Sequence, residues 1–177
     1  QPHFERTRER IAEQSVVLLV QDTSEMDVTR PQQQVHGAGP LDGGSRRGFF
    51  LHPVEAFTPS GLPLGAVAAK IWTREETLLE LSPAERRQLR RTQPFEEKES
   101  VRWLEGLRSA REGAQQVPQT TCVCVGDSEA DIYELFAEPR GETPVHLLVR
   151  AAQDRALVSP SEGQGAPSGL SPQEVVE

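Results

Sequence analysis

An α/β fold, a mixed sheet flanked by helices, is predicted by three observations. Two continuous apolar runs, residues 16–20 and 121–125, each end abruptly two positions before an aspartate, Asp22 and Asp127. A run without alternation fits a strand buried on both faces of a sheet. Between them, two apolar segments flank Thr58-Pro59-Ser60-Gly61, which is turn chemistry and makes a hairpin. Finally, residues 98–111 carry Val101, Leu104, Leu107 and Ala110 at helical spacing, with Trp103 beside them.

In chain order, residues 4–13 are charged and suit a short helix, an N-terminal helical remnant spanning residues 1–15. Residues 16–21 form the first strand. Residues 28–46 hold Pro31, Gly37, Gly39, Pro40, Gly43 and Gly44 and read as a loop. The glycines do not form a phosphate loop, because no lysine and no strand-to-helix context follow. Residues 48–57 and 64–72 are the hairpin strands, with Pro53 suited to an edge position or a bulge. Residues 73–97 read as a surface insertion. Within it Ser82, Pro83 and Glu85 are an N-cap, a first-turn proline and a capping-box glutamate. The helix they start carries Arg86, Arg87, Arg90 and Arg91 on one face, where a solvated surface or a phosphate backbone are the two readings. After the 98–111 helix, residues 120–126 are the second acid-ended strand, a helix begins at Ser128 and runs to Ala137, and residues 145–149 are a last strand. Residues 159–177 are Ser-, Pro-, Gly- and Gln-rich and are expected to be disordered. One core over residues 16–158 follows. With right-handed crossovers the first strand can lie beside the fourth, making Asp22 and Asp127 neighbours. A ribonuclease-H-like mixed sheet, here incomplete, is the simplest topology with this order.

Composition sets limits. The formal net charge of −8 gives no support from bulk charge for nucleic-acid binding. All but two of the 19 basic residues are arginine, whose fork suits phosphate, although a chain rich in Ala, Gly and Pro has the same skew from base composition alone. Cys122 and Cys124 read as buried small hydrophobes, because a lone CxC lacks partner ligands. No apolar stretch approaches a membrane span and the first residues are no signal peptide, so a soluble cytoplasmic protein is expected.

Two carboxylates at one sheet edge repel unless a divalent cation lies between them. Phosphodiester chemistry uses such an edge, since two metal ions roughly 3.5–4 Å apart neutralise the attacking and leaving oxygens. Aspartate holds the ion close to a rigid strand end, and its oxygens suit Mg²⁺. The blander readings are a turn residue for Asp22 and a helix N-cap for Asp127. His52 reads as a packed or hydrogen-bonded histidine, and His36 and His146 lack ligand partners at useful spacing.

Five blocks then carry a resemblance: residues 19–27 (LVQDTSEMD), 47–52 (RGFFLH), 61–65 (GLPLG), 97–104 (EKESVRWL) and 126–133 (GDSEADIY). In this order they resemble the DDE transposases of the insertion-sequence-four type, the transposon-five group among them; Leu148-Val149-Arg150-Ala151 is similar to the strand after that family's second acid. The resemblance covers about residues 15–155. It implies a ribonuclease-H-like core whose Asp-Asp-Glu triad holds Mg²⁺, or Mn²⁺ in its place. That site cleaves DNA at transposon ends and joins the freed 3′-hydroxyl to target DNA, with the full-length enzyme a homodimer on DNA. Asp22 would be the first catalytic acid and metal ligand and Asp127 the second, with Arg150 and Arg155 as candidate DNA contacts.

The departures have consequences. The family's third acid sits in a Tyr-x2-Arg-x3-Glu-x6-Lys signature that this chain lacks, since its single tyrosine is Tyr133. An N-terminal DNA-binding region is also missing. A transposase fragment, inactive or nearly so by itself, is the expectation. Two alternatives remain. Residues 126–132 are similar to the fourth motif of haloacid-dehalogenase-like phosphatases, although Ser24 stands where their first motif needs a second acid. The other is a non-catalytic remnant that binds DNA or an intact transposase.

Overall fold

The two acid-ended runs do become neighbours. In the computed structural model, which describes residues 2–30, 35–42, 45–76, 81–139, 141 and 145–154, β1 (Val16–Gln21) pairs in parallel with β6 (Thr121–Gly126), Val16 opposite Thr121 through Val20 opposite Val125. β7 (His146–Val149) pairs in parallel on the far side of β6. On its other side β1 meets β4 (Arg47–Phe57), antiparallel, and β4 forms the expected hairpin with β5 (Pro63–Trp72). Across the seven-stranded mixed sheet the order of these five is β5, β4, β1, β6, β7.

Two short strands were not foreseen. β2 (Ser24–Asp27) pairs with the first half of β4, and β3 (Gly39–Pro40), inside the expected loop, pairs with its start. Gln21 lies opposite Val54 and Ser24 opposite Leu51. β1 and β2 thus follow one register along β4, interrupted at Asp22 and Thr23. Opposite that interruption lie His52 and Pro53. Proline has no N–H to give a ladder, so β4 accommodates it where its neighbour breaks off. Pro53 therefore belongs to an interior strand rather than an edge, and a register shift follows between Val54 and Glu55.

α1 (Pro2–Ala12), α3 (Val101–Gln115) and the short α4 (Tyr133–Ala137) supply one side of the core. Ile11, Trp103, Leu104, Leu107, Ala110, Ala114 and Leu135 cluster with Val17, Leu19, Val54, Ala56, Cys122 and Cys124. These strand residues share the period-2 parity that puts them on one face. Val16, Leu18 and Val20 alternate with them and are partly buried. The expectation of strands fully buried on both faces is therefore corrected: burial is complete on one face of β1 and partial on the other.

Helix boundaries differ from the sequence pattern for local reasons. A 3-10 turn, Phe95–Glu97, precedes α3, whose first turn starts at Val101 rather than residue 98. The helix expected from Ser128 is broken. A 3-10 turn, Ser128–Ala130, is followed by extended Ile132 (φ −120°, ψ 143°) before α4 begins. At the break, Asp131 is buried and its Oδ2 accepts the N–H groups of Ala152 (2.6 Å) and Gln153 (2.7 Å), fixing the segment after β7. α2 (Pro83–Thr92) forms with its capping box in place and has no buried residue. The tail expected to be disordered, residues 159–177, lies outside the described residues.

Candidate functional site

Asp22 and Asp127 stand two positions beyond the last register pair of β1 and β6, Val20 with Val125. Continued, that register sets them side by side at the C-terminal edge of parallel strands, which lie about 4.8 Å apart. Both residues are exposed. Asp22 Oδ1 accepts the Thr23 N–H at 2.7 Å, and Asp127 Oδ1 accepts the Glu129 N–H at 2.8 Å, so the turn and N-cap roles are both filled. Each carboxylate keeps a second oxygen, and capping does not preclude a ligand role.

One guanidinium ties the two strand ends together. Arg102, in the first turn of α3, donates from Nε to Thr23 Oγ1 at 2.7 Å and from Nη2 to Glu129 Oε2 at 2.6 Å. The residue after the first acid and the residue two past the second are thus within reach of one planar fork. The Arg102 side chain is 11% exposed.

Behind Arg102 a buried polar chain runs into the sheet. Thr23 Oγ1 lies 2.9 Å from His52 Nδ1, His52 Nε2 lies 3.0 Å from Gln21 Oε1, and Gln21 Nε2 donates to Cys124 Sγ at 2.8 Å. The donors fall in sequence when His52 is neutral with its proton on Nε2. Arg102 then donates to the Thr23 oxygen, the Thr23 hydroxyl to Nδ1, Nε2–H to Gln21, and the Gln21 amide to the thiol. This tautomer is assigned from the network. Burial, then the Arg102 charge, push the His52 pKa down to about 4; the Asp22 backbone opposes them and the Lys70 charge adds to them. Burial pushes the Cys124 thiol up to about 11, which suits a packed thiol and not a nucleophile. Both cysteines are free and buried, as their spacing suggested.

Two glycines admit this arrangement. A Cβ on Gly106 of α3 would stand 1.9 Å from Gln21 Oε1, and one on Gly126 would stand 2.6 Å from the Ala130 Cβ and 3.2 Å from the Trp103 ring. Gly106→Ala is therefore expected to lose about 1–3 kcal/mol by overpacking, despite alanine's helix preference of ~1 kcal/mol. Urea denaturation checks this, and a more stable variant would show that α3 can back away from Gln21.

Arg102, Thr23, Gln21 and Glu129 were not singled out from the sequence. The available signal was parity: Gln21 shares the inner face with Val17 and Leu19, and His52 shares it with Phe50 and Val54. Arg150 directly follows β7, is exposed, and donates its backbone N–H to Gly126 O at 3.1 Å. It therefore stands beside Asp127 at the same edge. Arg155 lies outside the described residues. His36 and His146 are exposed. A cavity of about 320 Å³ between α3 and the β4–β5 hairpin is lined in part by His52, Lys70, Arg102 and Glu105.

Among the described residues no group of three or more His, Cys, Asp and Glu could hold a metal ion. A pair of carboxylates still fits Mg²⁺ or Mn²⁺, because Mg²⁺ is commonly held by one or two carboxylates with water and substrate phosphate completing its shell. Among the described residues no helix is long and apolar enough to cross a membrane. The fold is a mixed α/β sheet in which an aspartate follows the end of each of two adjacent parallel strands, β1 and β6. No protein-family model and no curated protein matches the chain.

Proposed function

We propose that this chain is part of the catalytic core of a DDE transposase, with a ribonuclease-H-like sheet and with Asp22 and Asp127 as two of the three acids that hold Mg²⁺ or Mn²⁺. The observation that carries this reading is the β1–β6 register with Arg102 spanning its end, because it sets the two family-matched aspartates at one edge. The strand order supports it as well: an antiparallel β1–β4–β5 meander is joined to parallel β6 and β7. When bound, the metal would supply charge neutralisation at a phosphodiester and activation of its attacking oxygen.

The chain's own groups have distinct parts in this reading. Asp22 and Asp127 present carboxylate oxygens from rigid strand ends. Arg102 holds Thr23 and Glu129 so that the two ends keep their spacing. Arg150 offers a cation to DNA beside the second acid. With two of the family's three acids, the chain binds metal and DNA but turns over little or no DNA by itself; the full-length enzyme works as a homodimer on transposon ends and target.

Calorimetric Mn²⁺ titration tests the site. Asp22→Asn and Asp127→Asn are each expected to weaken binding by at least about tenfold, the loss that even outer partners of metal ligands produce. Unchanged titrations would remove the metal site. Turnover of a small phosphomonoester that is lost in Asp22→Asn would favour the phosphatase reading instead.

A further inference from the structure

α2 departs from the rest of the chain. Its ten residues, PAERRQLRRT, hold four arginines against one glutamate. That glutamate is already engaged, since Glu85 Oε2 accepts the Ser82 N–H at 2.8 Å and Ser82 Oγ accepts the Glu85 N–H at 3.3 Å. Arg86, Arg87, Arg90 and Arg91 are all exposed, and among the described residues none of them forms an ion pair. Arg46, Arg74, Arg102, Arg108 and Arg111, by contrast, each sit against a carboxylate. Arg86 Nε donates to the Leu81 carbonyl at 2.9 Å. In a chain with 27 acidic and 19 basic residues, four arginines on one helix that have no carboxylate partner among the described residues run against the overall charge.

The helix is not held by the core, because it has no buried residue. Its shape comes from the capping box, from Pro83 at the first turn, and from good helix formers along its length. At 3.6 residues per turn the four arginines fall on one side. Arg86 and Arg90, like Arg87 and Arg91, are separated by about 6 Å along the axis.

The roots of the insertion lie at the acid edge. It leaves from the end of β5, where Arg74 makes a two-point contact with Glu99 (2.5 and 2.7 Å), bonds Asp42 at 2.6 Å, and lies over the Phe50 ring. It returns into α3, whose Arg102 touches Thr23 and Glu129. β5 runs parallel to β1, because both are antiparallel to β4. The segment bearing α2 therefore departs from the end of the sheet that carries Asp22 and Asp127.

We propose that α2 is a docking helix for the phosphate backbone of duplex DNA, contacting it through Arg86, Arg87, Arg90 and Arg91 next to the acid edge; the choice of DNA rests on the function proposed above. Charge complementarity commits the surface to a polyanion. Arginine forks match phosphate oxygens in pairs. Duplex DNA offers one phosphate per 3.4 Å along each strand, so flexible side chains spaced by about 6 Å find partners without a fixed register. An acidic protein surface fits less well. Stable protein interfaces are anchored by a desolvated apolar or aromatic centre, and α2 offers Leu89, 39% exposed, as its one large apolar side chain. A chain of net charge −8 repels DNA overall, so binding has to come from a local cluster of this kind.

Fluorescence anisotropy of a labelled duplex of about 20 base pairs, with the 177-residue chain in EDTA at 50–200 mM KCl, tests the proposal over the salt range in which phosphate contacts are most sensitive. Replacing all four arginines by glutamine is expected to lower affinity at least about tenfold and to flatten the log–log salt slope by about 2–4, since each neutralised phosphate contributes about 0.9. Replacing them by lysine is expected to retain most of both. Circular dichroism of each variant reports the fold, and Mn²⁺ titration of the glutamine variant is expected to match wild type. Failure of the metal site and failure of the helix are thus read separately. Absence of binding by wild type, an unchanged salt slope in the glutamine variant, equal loss in the lysine variant, or competition by polyglutamate as strong as by unlabelled DNA would each overturn the proposal.

Discussion

Trp103→Ala is expected to destabilise the fold by about 3–5 kcal/mol, the usual cost of emptying a buried aromatic site. Trp103 is 1% exposed. Its ring meets His52 edge-on, with centroids 4.7 Å apart and planes at 79°, and it closes over the strand end at Gly126. The Arg102 guanidinium lies 5.6 Å from the ring centroid. Truncation would thus leave a void below the edge that bears both aspartates, with buried His52 losing its packing partner. Against a typical total of 5–15 kcal/mol, that is a large share of the stability. Urea unfolding gives the value, and Trp103→Phe is expected to lose less. A loss under ~1 kcal/mol would mean that α3 collapses onto the sheet without this side chain. The edge is expected to loosen in parallel, so if the proposed metal site holds, Mn²⁺ affinity falls in Trp103→Ala as well.

The parts of this fold legible in the sequence are those set by local pattern. Apolar runs, a Pro-Gly turn and an S-P-x-E cap each specify one element through nearby residues, and β1, β4, β5, β6, β7, α2 and α3 follow them. The equal placement of Asp22 and Asp127 beyond their runs was legible for the same reason. β2 was not, because Ser24, Glu25 and Asp27 carry no strand pattern; they form a strand since β4 extends past the end of β1 and offers pairing there. Pro53 suited an edge or a bulge: a register shift does follow it at Val54 and Glu55, but its interior position was not legible because it depends on a gap in the neighbouring strand. The helix after Asp127 was read as continuous because nothing near it announces that Asp131 bonds a segment some twenty residues later. The Arg102–Thr23–His52–Gln21–Cys124 chain joins three strands and a helix. Each member by itself resembles ordinary strand or helix chemistry, and only the tertiary register brings them together.

Acid is expected to act on this fold through His52. In the unfolded chain an imidazole takes its proton near pH 6.5, whereas in the folded protein burial and the Arg102 charge delay this until about pH 4. Between those values the unfolded state holds more protons, so falling pH favours unfolding. Above about 6.5 the ring is neutral in both states and its contribution is complete; by about pH 4 it is lost. A separation of that size corresponds to about 3 kcal/mol. The structural reason is the direction of the hydrogen-bond chain. A second proton on Nδ1 would face the Thr23 oxygen, which already takes the Arg102 N–H, and would set a cation beside that guanidinium. The measurement is stability against pH for wild type and His52→Gln. Carboxylates titrating near pH 4 contribute to both proteins, so the comparison isolates the ring: the wild-type curve is expected to fall more steeply between pH 6.5 and 4, and the two to converge at the acid end. Parallel curves across that window would mean that His52 titrates normally in the folded protein, and that Thr23 and Arg102 are held by something other than a neutral imidazole.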